Sequence, residues 1–309
     1  MKKLIICLIA VAAFAGCSSK PKDNGDVYTK KNKAAEYSTY GNTYYDSSMY
    51  GQAMDFFKMA LELNISVNNE AGMIENYNSI GKVHIALGDE TQGEKLFLEA
   101  MALAVKLNDP GLYAKTASNL GEVYLRAGKT DKSRGMINEA LEKLSGINGE
   151  NETRAVLYHN AGVLNKHEGN FDEALRYFEM AKSLNEKLER RTELAANYYM
   201  IASIQSKLEN YPAATASLKS ALENDKRMEH SYGIAKDIHA LAVVYSKSGE
   251  KELSYDYYKK AYLLYNTLRL RDELIEVLQA LVLLAPEEGT EEELLKFSSD
   301  LEILKGTGK

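Results

Sequence analysis

Small, large apolar and polar positions follow one another in a fixed order along this chain and repeat at nearly constant intervals. One series of small residues has spacings of 40, 40, 41, 40 and 40, and it consists of Gly41, Gly81, Gly121, Gly162, Ala202 and Ala242. A second series has the same spacings in the same order, and it consists of Ala60, Ala100, Ala140, Ala181, Ala221 and Ala261. Two series in phase indicate an internal repeat of about 40 residues.

Two further columns share this register, and together they predict pairs of closely packed helices. One column is small throughout and consists of Ala53, Gly93, Ser133, Ala174, Ala214 and Ser254. The other is large and apolar or aromatic, and it consists of Phe57, Phe97, Ile137, Phe178, Leu218 and Tyr258. Two antiparallel helices need small residues where their backbones cross and large residues beside the crossing to fill the gaps. With only four prolines and no strand-rich segment, the chain is expected to be all-helical.

This order of columns resembles the tetratricopeptide repeat family, whose signature runs from a large residue through Leu-Gly and Tyr to Ala, Phe and Ala. The segments NLGEVYLRAGKTDKS and NAGVLNKHEGNFDEALRYFEMA are close local examples, and the resemblance covers roughly residues 34 to 274. It implies an all-α, right-handed α-solenoid over residues 33–274, followed by a degenerate capping pair and tail in residues 275–309. The six predicted repeats are 34–73, 74–113, 114–154, 155–194, 195–234 and 235–274.

The turns carry their own pattern. Glycines that can end the first helix in a left-handed conformation stand at Gly88, Gly128, Gly169 and Gly249. Ser48 and Glu209 replace this glycine in the first and fifth repeats, so we expect those two turns to differ. The one extra residue of the 41-residue interval falls in KLSGINGENETR, residues 143–154, which predicts a longer and softer joint.

The amino terminus has the features of a secretory signal peptide. Lys2 and Lys3 precede the apolar run of residues 4–15, which is too short to span a bilayer as a stable helix. The tail FAGC, which ends at Cys17, resembles the lipobox of bacterial lipoproteins, whose cysteine becomes lipidated. Residues 1–16 are therefore predicted to be a signal peptide and residues 17–32 a flexible lipidated tether. Ser18 resembles the outer-membrane sorting signal, which predicts an outer-membrane anchor facing the periplasm.

Charge and cysteine content exclude several classes of function. Without residues 1–16 the chain keeps 36 basic and 44 acidic residues, a charge of −8, which disfavours nucleic-acid binding. Cys7 and Cys17 are the only cysteines, so the predicted solenoid has neither disulfides nor thiolate metal sites. No phosphate loop, nucleophile elbow or HExxH string occurs. We expect a protein that is not an enzyme and needs no cofactor.

In the tetratricopeptide family the first helix of each pair lines a concave groove. The resemblance places there Asn42, Tyr45, Asn78, Lys82, Asn119, Glu122, Arg126, His159, Asn160, Lys166, His167, Tyr199, Ser203, Lys207, His239 and Lys247. Two subsets are candidates for partner contacts. An asparagine ladder, Asn78, Asn119 and Asn160, can bond to an extended peptide backbone. A basic row, Arg126, His167, Lys207 and Lys247, can attract an acidic segment.

Simpler interpretations stand beside these. Asparagine before the glycine and lysine near the end of the first helix are common in the family whatever it binds. His159 and His167 are eight residues apart and could share a metal ion with Glu122, but a site needs three converging ligands, so a polar helix face is favoured.

The sequence thus predicts a lipid-anchored scaffold or adaptor of the bacterial envelope that binds a protein or peptide in its groove. The alternative is a peptide receptor or a ligand-binding partner of a transporter.

Overall fold

A computed structural model describes residues 24–149 and 151–306, and within them the chain forms fourteen helices and no strand. The first helices of the pairs are α1 (Asn24–Asp46), α3 (Glu70–Ala86), α5 (Pro110–Arg126), α7 (Asn151–His167), α9 (Arg191–Lys207), α11 (Ser231–Ser248) and α13 (Arg271–Glu288). The second helices are α2 (Tyr50–Ser66), α4 (Glu90–Leu107), α6 (Thr130–Lys143), α8 (Phe171–Lys187), α10 (Tyr211–Arg227), α12 (Lys251–Leu268) and α14 (Glu291–Gly306). From the second repeat on, each pair begins about four residues before the predicted repeat boundary.

The helices form two layers. Each helix packs against its neighbours in sequence, and the first helices also contact one another from α1 to α3 and onward to α11. Between second helices in the described ranges there is no comparable contact. The layer whose members touch follows the shorter, inner path of a curved stack, so the first helices form the concave side. The predicted all-α solenoid of six helix pairs and a terminal pair is confirmed.

The small residues lie where helices cross, as the columns predict. The six residues of the first series are all buried, and so are the six alanines of the second. A Cβ placed on Gly162 would lie 2.7 Å from the nearest ring carbon of Phe178, well inside van der Waals contact. The glycine therefore sets how closely α7 and α8 approach, and Phe178, fully buried, fills the space beside it.

The turns within the repeats are more uniform than the sequence predicts. Gly88 has a φ of 83°, and Ser48 and Glu209 reach 58° and 61°, in the same left-handed region. The expectation that these two turns differ is wrong, because they keep the same closing hydrogen bonds, such as Met49 N–H to the Tyr44 carbonyl at 2.8 Å. A left-handed non-glycine residue costs about 1 kcal/mol, which those bonds offset.

The joint between α6 and α7 is longer than the others, as predicted, but it is braced. Residues 144–149 follow Lys143, the last residue of α6, and lead toward Asn151, the first residue of α7. The Arg154 guanidinium donates to the Leu144 carbonyl at 2.6 Å and also to the carbonyls of Ile147 and Gly149. Three carbonyls held by one side chain fix the path of this segment, so the structure does not support the expected softness.

The first helix begins earlier than expected. Residues 24–32 are helical, so the prediction of a flexible tether through residue 32 is wrong for this part. No proline lies between Pro21 and the end of α1 at Asp46, and the Lys30 ammonium pairs with the Asp26 carboxylate at 2.8 Å, one helical turn apart, which lets α1 extend beyond the packed core. The signal peptide, Cys17 and the rest of the tether lie outside the described residues. None of the described helices is long and apolar enough to cross a membrane.

Candidate functional site: the concave groove

Two cavities open on the concave face. The N-terminal cavity, of about 280 Å³, is lined by Tyr45, Tyr50, Lys82, Ile85, Ala86, Phe97, Asn119, Glu122, Val123 and Arg126. The C-terminal cavity, of about 330 Å³, lies between α9, α11 and α13, and its polar and aromatic lining is Tyr199, Ser203, Ser206, Tyr232, Lys236, His239, Lys247, Tyr265, Glu273 and Glu276. Both are in the size range of small-ligand or side-chain pockets.

A larger trough of about 830 Å³ continues from the N-terminal cavity across α3, α5 and α7. The two share Lys82 and Asn119, so they form one continuous surface. Ion pairs line the trough, including Lys115 with Glu75 at 2.9 Å and Arg190 with Glu152 at 3.1 Å. A surface of this length and polarity is suited to an extended chain rather than to a compact small molecule.

The structure gathers most of the predicted groove residues. Those brought to the N-terminal cavity are Tyr45, Lys82, Asn119, Glu122 and Arg126, and those brought to the C-terminal cavity are Tyr199, Ser203, His239 and Lys247. Asn42 is exposed on α1, and His167 and Lys207 are exposed at the last residues of α7 and α9. The basic row therefore follows the C-terminal ends of successive first helices, where the helix dipole also favours cations.

The asparagine ladder is mainly a structural feature. Asn78 is only 2% exposed, its amide nitrogen donates to the Thr116 hydroxyl at 2.8 Å, and its oxygen accepts from Asn119 at 2.9 Å. Asn160 is also buried and donates to the carbonyl and hydroxyl oxygens of Ser118 at 3.2 and 3.1 Å. The prediction that Asn78 and Asn160 face a partner is wrong, because these amides join neighbouring first helices.

Three lysines of the concave face pack against aromatic rings or sulfur instead of carboxylates. The Lys82 ammonium lies 5.5 Å from the Tyr45 ring centre and that of Lys236 4.1 Å from the Tyr199 ring centre, while Lys166 Nζ is 3.9 Å from the Met200 sulfur. In the described part of the chain none of these three lysines has a carboxylate within 4.0 Å.

Their surroundings favour an anion. Partial desolvation by the groove walls lowers the pKa of Lys82 although the side chain remains exposed, and the charge of Lys115 adds to the effect. Burial, and then the charge of Lys236, lowers the pKa of Lys166. An anion bound between such cations would regain the Coulomb energy that the free groove lacks.

Two of the groove histidines, His159 and His239, are half-buried packing groups whose surroundings favour the neutral imidazole. His159 Nδ1 lies 2.8 Å from the Asn197 side-chain oxygen, and burial lowers the pKa of His159. His239 lies between the rings of Tyr258 and Tyr265, each 5.7 Å away between centres, and burial lowers its pKa too. Over residues 24–149 and 151–306, no group of three His, Cys, Asp or Glu side chains is arranged to hold a metal ion. The alternative of a metal shared by His159, His167 and Glu122 therefore has no support.

Lys236, Tyr265, Glu273 and Glu276 are the main site residues that the sequence analysis missed. Lys236 stands six residues before Ala242, just as Lys115 stands six before Gly121. The same column holds Ala35, Glu75, Val156 and Ala196 in the other repeats, so the sequence alone did not single out Lys236. Tyr265 and the two glutamates come from α12 and α13, and only the tertiary structure brings them to the cavity.

The fold and this groove define an α-solenoid of helix pairs with a polar, partly cationic inner face. Residues 72–144 and 153–227 match the family described as tetratricopeptide repeat, so these two segments are tetratricopeptide repeats.

A curated relative, a TPR repeat-containing protein of Methanocaldococcus jannaschii, is 27% identical over 249 residues, which cover 77% of this chain and 39% of the relative. Among solved structures, a STAND signal transduction ATPase of Pyrococcus horikoshii with a tetratricopeptide repeat sensor is similar at a TM-score of 0.73 and 16% identity, covering 94% of this chain and 45% of that one. This chain thus spans less than half the length of either protein.

A Rap protein solved in complex with Competence and Sporulation Factor is similar at a TM-score of 0.64 and 17% identity, covering 89% of this chain and 75% of that one. At these identities the structural likeness shows the fold alone.

Proposed function

We propose that this protein is a non-enzymatic scaffold that binds a segment of a partner protein in its concave groove and is held in the bacterial cell envelope by acyl chains on Cys17. Tetratricopeptide repeats are generally protein-interaction modules, and the continuous trough and cavities of the inner face offer a surface for an extended segment. The observation that carries the proposal is the set of concave lysines, Lys82, Lys166 and Lys236, for which the described residues provide no carboxylate partner.

The unpaired lysines favour an acidic or carboxylate-rich partner segment. The charge of Lys236 is close enough to lower the pKa of Lys166, and the exposed Arg126 and Lys207 continue the positive surface. Because the protein as a whole carries a net charge of −6, this local reversal of sign would orient an acidic segment toward the groove.

Site-specific photocrosslinking in cells tests the groove. A photoreactive phenylalanine analogue at Tyr199, in the C-terminal cavity, is expected to trap a partner, whereas the same analogue at Leu263, 59% exposed on α12, is not. Replacing both Lys166 and Lys236 by Gln is expected to reduce the adduct at Tyr199 at least about tenfold, since charge pairs in such sites contribute 1 kcal/mol or more each. Lys187→Gln, which replaces an exposed lysine of α8, is the control.

Equal adducts at Tyr199 and Leu263, or an adduct at Tyr199 that is insensitive to the double lysine variant, would contradict the proposed groove. The double variant removes exposed or half-exposed groups, so thermal unfolding by circular dichroism is expected to stay close to that of the original protein.

The proposed membrane anchor rests on the amino-terminal sequence alone. In that sequence Ser18 favours the outer membrane, with the protein facing the periplasm. Two or more acyl chains at about 0.8 kcal/mol per buried CH₂ give a stable anchor. Metabolic labelling with an alkyne fatty acid is expected to label the protein and to be lost in Cys17→Ser. Cys7→Ser is the matched control, and labelling that survives Cys17→Ser would refute the anchor.

A second candidate is a receptor for a short peptide. The C-terminal cavity favours it, because tyrosine rings, Lys236 and Lys247 on one side and Glu273 and Glu276 on the other provide both signs of charge in about 330 Å³. A Rap protein of similar fold is described in complex with Competence and Sporulation Factor, which is consistent with ligand binding by such a solenoid. Calorimetric titration with a library of short peptides separates the two candidates, since a scaffold for long segments gives no micromolar binding of them.

A further inference from the structure

Two joints between successive repeats have the same construction but different chemistry. The first joint connects repeats one and two, and its polar side chains are Ser38, Asn64, Asn69 and Asn76. The residues 161 positions later form the joint between repeats five and six, and they are Tyr199, Asp225, His230 and Asp237. The four side chains of the first joint have no proton that titrates in the physiological range. At the matching positions of the second joint, all four side chains are ionisable.

In the first joint a chain of hydrogen bonds satisfies the buried amides. Asn69 donates to Asn64 at 2.7 Å, Asn64 donates to Asn76 at 2.7 Å, and Asn76 donates to the Ser38 hydroxyl at 2.9 Å. Gly72 makes room for the Asn64 side chain, which a Cβ at that position would overlap. The amide groups of the joint therefore supply every donor that the chain of bonds requires.

The joint between repeats five and six has carboxyl groups at the two positions that the buried amides of Asn64 and Asn76 occupy in the first joint. Asp225 and Asp237 are 5% and 2% exposed, and His230 Nδ1 lies 3.1 Å from one oxygen of Asp225. Gly233 makes room for Asp225, just as Gly72 does for Asn64. Within the described part of the chain, Oδ2 of Asp237 has no hydrogen-bond partner.

Two ionised carboxylates do not suit this place. A buried carboxylate without a donor loses its hydration and gains nothing in exchange, and two like charges add repulsion. Burial raises the pKa of Asp237 to about 8, the charge of Asp225 adds to this, and Lys236 opposes it. Burial also raises the pKa of Asp225, although His230 works in the opposite direction. A proton on either carboxyl would provide the donor that the Asn64 amide supplies in the first joint.

We propose that Asp225 and Asp237 share a proton that holds α10 against α11, and that its loss as the pH rises loosens this joint of the solenoid. The groups that act on the pair are Tyr199 of α9, and His230 and Lys236 beside and on α11. Tyr199 and Lys236 also line the C-terminal cavity, so the joint and that cavity share two side chains.

The direction of the pH dependence follows from linkage. The pKa of Asp237 is about 8 when folded and 3.8 in its ordinary state, so the unfolded or opened chain binds fewer protons between these values. The contribution of the group to stability is fully present below about pH 4 and is lost as the pH rises to about 8. One proton released on opening makes the opening constant rise by up to about tenfold per pH unit in this window.

Hydrogen exchange of the mature protein tests the proposal. After correction for the intrinsic exchange rate, protection of α10 and α11 in the original protein is expected to fall at least about tenfold between pH 6 and pH 8. Asp237→Asn keeps the shape and supplies a permanent donor, so its protection is expected to change less than about twofold. Asp225→Asn should flatten the dependence in the same way.

Asp172→Asn, an exposed carboxylate on α8, is the control and is expected to follow the original protein. Helices α2 and α3, which the amide joint connects, serve as an internal reference whose protection should not depend on pH. The proposal is overturned if the original protein shows no fall in α10 and α11, or if Asp237→Asn and Asp225→Asn, folded by circular dichroism, both retain it.

Discussion

The replacement of Gly162 by alanine isolates the feature on which the whole fold depends, the close crossing of paired helices. The new Cβ would lie 2.7, 2.8 and 2.9 Å from three ring carbons of Phe178, which is fully buried. Overpacking of this kind costs about 1–3 kcal/mol. Alanine regains about 1 kcal/mol of helix propensity, so the free energy of unfolding is expected to fall by up to about 2 kcal/mol.

A matched position gives the opposite expectation. A Cβ on Gly121 would lie 3.3 Å from the nearest atom of Ile137, which requires a shift of only a few tenths of an ångström. Gly121→Ala is therefore expected to be neutral or to stabilise the protein by up to about 1 kcal/mol. Both residues are helical glycines one repeat apart, so both variants gain the same helix propensity. The difference in stability between them therefore reports the contact that the new Cβ makes with Phe178 or Ile137.

Repeat five shows a pair of residues that relieves this overlap, an alanine facing a leucine. Ala202 and Leu218 occupy the two columns there and are both buried in one cluster. The double variant Gly162→Ala with Phe178→Leu is expected to show a favourable coupling of about 1 kcal/mol relative to the sum of the single changes.

Urea unfolding followed by circular dichroism measures these differences, with hydrogen exchange of α7 and α8 to locate them, since solenoids can unfold in parts. A Gly162→Ala variant as stable as Gly121→Ala, with no coupling to Phe178→Leu, would refute the crossing argument.

Two further changes test the inter-repeat joints. Asn64→Ala leaves the buried Asn76 oxygen without its donor at 2.7 Å, so a loss of about 1–3 kcal/mol in the free energy of unfolding is expected. The variant Asn64→Asp should gain stability as the pH falls. A denaturation curve unchanged by Asn64→Ala would contradict this expectation. Arg154→Lys removes the planar guanidinium that bonds to carbonyls of residues 144–149. Proteolysis in that segment is therefore expected to accelerate several-fold, with little change elsewhere. An unchanged cleavage pattern would show that Arg154 does not brace the joint.

Local chemistry was predictable where a residue acts on its own backbone. Thr290 and Glu293, three residues apart at the start of α14, form a capping box through two reciprocal bonds of 3.1 Å. The left-handed glycines of the turns were predicted for the same reason. Ser48 and Glu209 were not, because the closing hydrogen bonds of the turn, which depend on the packing of both helices, decide their conformation and outweigh their own preference.

The groove was predictable as a surface but not residue by residue. The family pattern gave the helix face of Lys82 and Tyr199, whereas the burial of Asn78 depends on Thr116, 38 residues away, and that of Asn160 on Ser118. The rotation of each first helix about its axis decides whether such an amide faces the groove or bonds to a neighbouring repeat. The sequence alone does not give that rotation.

The periodic columns by themselves determined the solenoid, because steric exclusion at a helix crossing acts between residues a fixed distance apart in sequence. Only the tertiary structure decided which charges meet across repeats: within residues 24–149 and 151–306, Lys82, Lys166 and Lys236 have no carboxylate partner, and Asp225 and Asp237 occupy one buried joint. The difference is physical, since packing size is a property of each residue, whereas the cost of a charge depends on everything that surrounds it.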